Sequence, residues 1–263
     1  MLYLGFASSL WVTMGAKDLV LKKISAQEAN VVVKKYHYSG KVVPNSQIHI
    51  GVYYMGKLEG AMQYGPSIDK RRVSSLVEGT GWNQFVELNR MALSPALPKN
   101  SESRAIAISI RLLKTHAPNI KWIISFADAT QCGDGAIYRA AGFDLTQIKL
   151  NKQMLLWDGK VIARKTLDNG NYPRIGGRYY SRHLIETGEA VLLDGYQLRY
   201  VYFIDPSWRS KLKVDVLPYT AIDEIGARMY RGTRPESIDS DAPNFRLGEG
   251  SANLTSGLEA GGA

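Results

Sequence analysis

The chain of 263 residues is 45% hydrophobic, which is ample for a packed core and excludes a wholly disordered protein. No window approaches the run of about 18 apolar residues that a membrane span requires, so a soluble protein is expected. The single cysteine, Cys132, excludes an internal disulfide and a cysteine-rich zinc site, and it fits a reducing cytoplasm. The net charge of +9 indicates either a polyanionic partner, of which nucleic acid is the commonest in a cytoplasm, or a merely solubilising surface.

The two ends of the chain differ in composition from the body. Residues 1–14 are apolar but lack a basic leading region and a small-residue cleavage site. A non-native or upstream start before Met14 explains them better than a signal peptide, and we treat residues 1–17 as an N-terminal extension. Residues 232–263 are rich in Gly, Ser, Pro, Asn and Asp and contain five acidic against two basic residues, which predicts a disordered acidic tail. The excess positive charge therefore lies in residues 18–231, the expected folded domain.

The first part of the chain gives clear signals for a helix and several strands. Residues 18–24 alternate like a strand, and Ser25 with Glu28 has the S-x-x-E form of a helix capping box, so a helix should run to about Tyr36. Alternating segments on both sides of Gly56 and Lys57 predict a β-hairpin. A loop and a strand are then expected at residues 66–82 and 84–94.

Helical and extended patterns alternate in the second part of the chain. Asn100 or Ser101 should begin a helix that carries Ile106, Ile110 and Leu113 on one face. The other expected elements are a buried strand, a short helix that leads into another strand, a hairpin turn, a basic loop and a last strand, at residues 121–127, 133–143, 157–160, 170–183 and 195–204. This order predicts an α/β fold with one mixed, mostly open sheet and helices on both faces.

The order of elements is similar to that of the GCN5-related N-acetyltransferases, the GNAT fold. Residues 136–143, Ala-Ile-Tyr-Arg-Ala-Ala-Gly-Phe, resemble the end of the family's fourth helix. The tyrosine of that segment often protonates the departing thiolate, so the resemblance implies this role for Tyr138; a core tyrosine on a short helix is the alternative. GNAT enzymes wrap the donor pyrophosphate with a glycine-rich loop. Residues 98–104 contain no glycine, which favours a donor other than ordinary acetyl-CoA, and the candidate donor-binding residues are Ser101, Ser103 and Arg104.

Residues 18–220 resemble a narrower group, the GNAT-like Mom family of phage DNA-modification proteins. The resemblance rests on the order and spacing of short motifs, which are Tyr36-His37-Tyr38-Ser39, Ile50-Gly51-Val52-Tyr53, Glu87-Leu88-Asn89-Arg90-Met91, Phe126-Ala127-Asp128, Tyr138 and Tyr202-Phe203-Ile204-Asp205-Pro206. Mom proteins convert adenine in DNA to a form that carries a carbamoylmethyl group on N6, which protects phage DNA from host restriction enzymes. The resemblance implies this activity on double-stranded DNA in the host cytoplasm, with residues 18–231 as the catalytic domain.

Carried over residue by residue, the resemblance implies a function for His37, Tyr38, Arg90, Ser103, Asp128 and Tyr138. Two of these residues have a structural alternative: His37 as a cap of the first helix, and Arg90 as a partner of Glu87. Iron is suspected in the family, with His37 and Tyr38 as ligands. Adjacent residues on a regular strand point to opposite faces, so the two side chains can share a metal only in an irregular segment.

The chemistry of adenine constrains these roles. The N6 lone pair is delocalised into the ring, so the amine needs a placed base and a desolvated pocket. Asp128 is the candidate base, because a carboxylate at the end of a buried strand is costly unless it is paired or catalytic, and Tyr138 is the candidate acid. Adenine inside a duplex cannot reach such a pocket and must be flipped out and held by aromatic side chains. The candidates for this contact are Tyr36, Tyr38, Tyr53, Tyr54 and Tyr64.

The structure of the modified base suggests a donor. N6 of the product carries a CH2 group, whereas simple acyl transfer places a carbonyl there. If N6 first accepts a glycyl group, the glycine amine can attack ring carbon C6 through a five-membered ring and expel the original N6, which becomes the carboxamide nitrogen. This hypothesis predicts an acyl donor that carries glycine, either glycyl-tRNA or a CoA thioester, and the basic body suits tRNA.

A basic segment is the expected DNA surface. Residues 171–183 interleave arginines with tyrosines around two glycines, which suits phosphate contact and stacking. The candidate DNA-binding residues in this segment are Arg174, Arg178, Tyr179, Tyr180 and Arg182. Arg71 and Arg72, in a second basic run, and residues 208–213, in a third, are expected to flank it, although isolated basic runs are also typical of solvated loops.

Two other classes of function stay open on the sequence alone. One is a GNAT enzyme that acylates a small molecule or a protein amine from acetyl-CoA, with an incidental basic surface. The other is a non-catalytic nucleic-acid binder that retains only the fold. A heavier deoxyadenosine in DNA from cells that express the protein separates DNA modification from both alternatives.

Overall fold

The computed structural model describes residues 15–169 and 172–229, and these residues form a mixed α/β fold. The strands are β1 (Val20–Lys23), β2 (Ile48–Tyr54), β3 (Lys57–Gly65), β4 (Phe85–Leu93), β5 (Trp122–Asp128), β6 (Asp144–Leu150), β7 (Met154–Trp157), β8 (Lys160–Ala163), β9 (Ala190–Leu192) and β10 (Tyr196–Phe203). The α-helices are α1 (Ala26–Tyr36), α2 (Lys70–Ser74), α3 (Ser101–His116), α4 (Ala136–Ala140), α5 (Arg164–Asp168), α6 (Tyr180–Glu186) and α7 (Ala221–Glu224).

Seven strands form the central sheet, in the order β1-β2-β3-β4-β5-β10-β6. Strands β4 and β5 pair in parallel, and the other neighbours pair antiparallel. Helices cover both faces of this sheet, and the alternation of side chains along each strand shows which helix lies on which face. Ala61 packs in the cluster that contains α1, whereas its neighbour Met62 packs in the cluster that contains α3. The expected mixed sheet with helices on both faces is therefore confirmed.

The predicted start and end of α1 are confirmed. The hydroxyl of Ser25 accepts a hydrogen bond from the amide of Glu28, and the Glu28 carboxylate accepts one from the amide of Ser25. This reciprocal pair satisfies two amide groups that have no partner inside the helix. At the other end, the amide of His37 donates to the carbonyl of Val33, so His37 does cap the helix as its structural alternative proposed.

Strand β4 contains a bulge that shapes the middle of the sheet. Gln63 pairs with Arg90 and the next residue, Tyr64, pairs with Leu88, so Asn89 is left without a partner on β3. Across the other edge of β4, parallel pairing with β5 extends only from Phe85 to Glu87. Beyond Glu87 the pairing of the two strands ends, and we call the region between their carboxyl-terminal halves the cleft.

Three details differ from the sequence prediction. Residues 154–157, 160–163 and 190–192 form a separate three-stranded sheet, in the order β8-β7-β9, instead of joining one sheet. The expected loop at 66–82 contains helix α2, and the end of the expected basic loop lies in helix α6. The second sheet and α6 enclose their own small core, in which Leu155, Leu167, Leu184 and Ala190 are buried. We call residues 151–195 the inserted module.

The predicted acidic tail and residues 1–14 of the N-terminal extension lie outside the described residues. Within the described residues, every helix is too short or too polar to cross a membrane. The division of the chain into an extension, a domain at 18–231 and a tail stays a prediction.

The close approach of Gly135 to Tyr200 gives a stability prediction. Gly135 begins α4 with a φ of +84°, and a Cβ added there would collide with the ring of Tyr200. Gly135→Ala should therefore lower the free energy of unfolding by about 2–4 kcal/mol, because left-handed strain and overpacking add. Urea unfolding, followed by tryptophan fluorescence, measures the change.

Gly79→Ala is the matched control, because Gly79 has a φ of +69° but open space around the new Cβ. It should cost only the strain, about 1 kcal/mol. Equal losses in the two variants would show that contact with Tyr200 contributes nothing.

Candidate functional site

The candidate site lies where β4 and β5 separate. The carboxyl end of α1 supplies His37 and Tyr38, strand β4 supplies Arg90, and strand β5 ends at Asp128. The phenol of Tyr38 interacts electrostatically with Cys132, Asp128, Arg90 and Tyr138. The structure thus brings together the five residues predicted from the sequence to be catalytic: His37, Tyr38, Arg90, Asp128 and Tyr138.

His37 and Tyr38 form a stacked pair, with ring centroids 4.3 Å apart and planes at 30°. Nδ1 of His37 lies 2.8 Å from the hydroxyl of Ser39. Burial, and next the charge of Arg90, lower the pKa of His37 to about 4, so its imidazole is neutral near pH 7. Tyr38 is 53% exposed as a whole, but burial of its hydroxyl end raises its pKa well above the usual range. The ring of Tyr38 is therefore largely exposed to solvent, while its hydroxyl group is shielded from solvent.

The side chain of Arg90 is held by backbone carbonyls and not by a carboxylate. Its Nε donates to the carbonyl of Lys41 at 3.0 Å, and Nη1 donates to the carbonyl of Asn89 at 2.7 Å. Among the described residues, Arg90 forms no ion pair with Glu87, so the structural alternative offered for Arg90 is not observed. The fixed guanidinium leaves positive charge available at the cleft.

The carboxylate of Asp128 is held by three hydrogen bonds. Oδ1 accepts from the amide of Thr130 at 2.9 Å and from Nδ2 of Asn151 at 3.0 Å, and Oδ2 accepts from Nε2 of Gln131 at 3.2 Å. These bonds satisfy the half-buried carboxylate, which has lost part of its contact with water. They also fix its orientation relative to the loop that leads to α4. Asn151, which sequence reasoning missed, belongs to this arrangement.

Tyr138 lies on the opposite side of the sheet from α1, in the core cluster that contains α3. Its ring packs against Phe143 and Tyr200, and burial raises its pKa to about 12. The nearby hydroxyl of Ser125 lowers that pKa to a smaller extent but makes no hydrogen bond of good geometry among the described residues. Tyr138 is thus a protonated, buried phenol beside an unsatisfied hydroxyl.

Glu87 is a second carboxylate at the cleft, and sequence reasoning gave it no catalytic role. It occupies the last parallel pair, opposite Ile124. Burial raises its pKa, against smaller lowering effects of Ser67, Asn89 and Arg90. Its charge also acts on Tyr138. The sequence did contain a signal, because an acidic residue between Val86 and Leu88 in a buried strand is a costly choice.

The first turn of α3 is the candidate donor site. The hydroxyl of Ser101 is buried and donates to the carbonyl of Pro98 at 2.6 Å, so it is already used inside the protein. The hydroxyl of Ser103 donates weakly, at 3.3 Å, to the carbonyl of Asn100. Nε of Arg104 is buried without a partner in the described part of the chain. An anion at this turn would meet Arg104, Ser103 and free helix amides.

The predicted DNA-binding residues lie in two places. On the inserted module, Arg178 and Arg182 both pair with Glu186, at 2.7 and 2.8 Å, and Arg174 stacks on Tyr179. Tyr180 stacks on Tyr172 in the small core of the module, so its ring is partly buried. Arg71 and Arg72 are exposed on α2, on the body of the protein. The structure therefore leaves Arg174 and Tyr179 as the most available of the module's candidates.

The described residues contain no cluster of ligands that supports the iron hypothesis. No three His, Cys, Asp or Glu side chains lie close enough together to hold a metal ion anywhere in residues 15–169 and 172–229. His37 and Tyr38 stack on each other, and Nδ1 of His37 is engaged by Ser39. The described residues around His37 and Tyr38 thus do not supply the further ligands that an iron site requires.

The mixed sheet, with the parallel pair β4 and β5 in its middle, defines a protein of the acetyltransferase fold class. The chain belongs to the Mom protein family, whose family model matches residues 18–221. It is 32% identical over 212 residues to a protein of Escherichia phage Mu named methylcarbamoylase mom, an alignment that covers 79% of this chain and 86% of the phage Mu protein.

Solved acetyltransferases are similar in fold at low sequence identity. The IAA acetyltransferase from Bacillus cereus is 9% identical with a TM-score of 0.38, and the match covers 70% of this chain and 99% of that one. An acetyltransferase from Bacillus subtilis in complex with CoA is 12% identical with a TM-score of 0.37, and the match covers 70% and 97%. These likenesses concern the fold, and nothing about the donor of this chain follows from them.

The depressed pKa of His37 predicts a pH dependence of stability. The unfolded histidine titrates near 6.5 and the folded one near 4, so the unfolded state binds more protons between these values. Stability should therefore fall as the pH is lowered from about 6.5 to about 4. His37→Asn, which cannot titrate, should lose less stability over this range. Urea unfolding of both proteins at several pH values tests this, and identical pH slopes would contradict it.

Proposed function

We propose that this protein converts adenine in double-stranded DNA to N6-carbamoylmethyladenine and so protects phage DNA from host restriction. The observation that carries the proposal is the convergence of Tyr38, Arg90, Asp128 and Tyr138 at one cleft, in a chain related to a protein named methylcarbamoylase. The test is the mass of the nucleosides in DNA from expressing cells. A heavier deoxyadenosine is expected, whereas an acetyltransferase that acts on another amine would leave DNA unchanged.

The stacked pair of His37 and Tyr38 is the proposed platform for the flipped adenine. Enzymes that act on a base take it out of the duplex and hold it against aromatic side chains. The exposed ring of Tyr38 offers such a face, and the neutral imidazole of His37 supports it from behind. Tyr64, by contrast, is fully buried and bonded to Ser109, so it cannot contact DNA. Arg174 and Tyr179 of the inserted module are proposed to contact the DNA backbone.

Two carboxylates compete for the role of base. One is Asp128, the candidate from the sequence, and the other is Glu87, the candidate from the structure. Three donors occupy three of the roughly four acceptor sites of the Asp128 carboxylate, which leaves one site on Oδ2 to accept a proton. Glu87 has a raised pKa, which brings a carboxylate closer to the range suited to a general base. Asp128 stays the proposed base, and Glu87 is the second candidate.

Single substitutions decide between the two carboxylates. Asp128→Asn should reduce modified deoxyadenosine by about 10²–10⁴-fold, as expected for a lost general base, and leave the fold and DNA affinity near wild type. Glu87→Gln is measured in parallel. An active Asp128→Asn protein together with an inactive Glu87→Gln protein would assign the base to Glu87, and full activity in both would remove the carboxylate mechanism.

The donor is proposed to carry a glycyl group, as glycyl-tRNA or a CoA thioester. In the first step the N6 amine attacks the glycyl carbonyl and loses a proton to the base, while the donor leaves with a proton from Tyr138. The glycine amine then attacks C6, and the original C6–N6 bond breaks to give the carboxamide. The unpaired Nε of Arg104 and the hydroxyl of Ser103 are proposed to bind a phosphate of the donor.

Isotope tracing tests the rearrangement. DNA labelled with nitrogen-15 at adenine N6 is modified with unlabelled donor, and mild hydrolysis then releases the carboxamide nitrogen as ammonia. The glycyl route predicts labelled ammonia and an unlabelled nitrogen on the ring. Label that stays on the ring would support direct transfer of a carbamoylmethyl unit. That result would also remove the proposed role of Tyr138, which requires an acyl leaving group.

A further inference from the structure

Arg199 is a half-buried arginine in the middle of β10. Its Nε donates to the hydroxyl of Thr146 at 2.9 Å, and Nη2 donates to the carbonyl of Thr146 at 3.2 Å. Within residues 15–169 and 172–229, no carboxylate forms an ion pair with it. Two other arginines of the body do have such partners, because Arg139 pairs with Asp134 and Arg209 pairs with Asp144. Arg90, at the candidate site, is held by backbone carbonyls instead. The unpaired charge of Arg199 therefore needs an explanation.

A second cation lies close to Arg199. Helix α2 packs through Val73 on the cluster that contains Val201, two residues beyond Arg199 on the same face of β10. Arg72, next to Val73, is exposed, and its guanidinium is likewise without an ion pair in the described residues. Burial, and next the charge of Arg72, lower the pKa of Arg199 to about 10. Two like charges are thus held together at a site that an anion would neutralise.

The arginine pair lies on the same face of the sheet as Asp128. Arg199 pairs across the strands with Phe126, and Asp128 follows Phe126 by two residues on β5, which returns to the same face. Two residues along a strand span about 7 Å. The candidate donor helix α3 packs in the cluster on the other face. The position thus suits a group attached to the DNA substrate better than a group attached to the donor.

We infer that Arg72 and Arg199 form a phosphate-binding site for the DNA backbone next to the extruded nucleotide. The inference rests on the proposed function, because it takes DNA as the substrate on this face. Thr146 holds two nitrogens of the Arg199 guanidinium, which leaves Nη1 to donate to a phosphate oxygen. Arg72 approaches from α2 and supplies the second charge. One phosphate clamped here would fix the strand while the adenine enters the cleft.

The test measures how salt weakens the binding of the full-length protein to a duplex. Arg199→Gln and Arg72→Ala should each lower the slope of log affinity against log salt concentration by about 0.9, which corresponds to one phosphate contact. Arg199→Lys, which keeps the charge, should restore most of the slope. Arg111→Ala is the matched control, because it removes the same charge from an exposed position on α3. Its slope should equal that of the wild type.

Several outcomes overturn the inference. One is an unchanged slope in the exposed variant Arg72→Ala, which decides the question even if Arg199→Gln does not fold by circular dichroism. Others are an equal loss in Arg111→Ala, or an effect confined to the binding of tRNA. Nucleoside masses from the wild type separate this inference from the proposed function. If the arginine variants have lower slopes but the wild type makes no modified deoxyadenosine, the phosphate site stands and DNA modification is rejected. If the wild type makes modified deoxyadenosine but the slopes of the variants are unchanged, DNA modification stands and the phosphate site is rejected.

Discussion

The early end of the parallel pairing between β4 and β5 is the constraint on which the site depends. Three residue pairs hold the strands together, and the bulge at Asn89 then turns β4 away from β5. A bulge shifts the alternation of side chains by one residue, so Arg90 points to the face of α1 instead of the opposite face. Without this shift, Arg90 would not meet His37 and Tyr38. The separated strands also leave Tyr138 within electrostatic reach of Tyr38 from the other face.

The sequence predicts the elements whose signals are local. Ser25 and Glu28 predict the start of α1 because both of their hydrogen bonds form within one helical turn. The alternation around Gly56 predicts the hairpin because successive side chains of a strand point to opposite faces. The bulge at Asn89 has no such signal, since it depends on which residues of β3 lie opposite. The strands of the inserted module were missed as a separate sheet for a related reason. They are three or four residues long, and their core forms only when distant helices close over it.

The sequence predicts the residues of the candidate site that lie in family motifs. It does not predict which of the arginines are paired with acidic residues. Composition gives a basic protein but cannot say which cations are compensated. The sequence presents Arg178 and Arg182 as free DNA contacts, yet both form ion pairs with Glu186. Arg199 lies in an ordinary strand pattern that gives no such signal, yet it is a half-buried arginine that forms no ion pair within the described residues. Pairing is a property of the fold, so a basic run in the sequence and a basic site in the structure need not coincide.

The inserted module contacts the end of β5 and the loop between β5 and α4 through both of its ends. Asn151, at its start, donates to the carboxylate of Asp128 and also donates its amide to the carbonyl of Gly195, at the module's end. Gly195 in turn lies against Thr130, where any Cβ would collide with that residue. A displacement of Asn151 would therefore break a hydrogen bond to Asp128. Because Arg174 and Tyr179 lie in the same module, a polyanion bound to them would contact the segment whose first residue helps to orient the carboxylate.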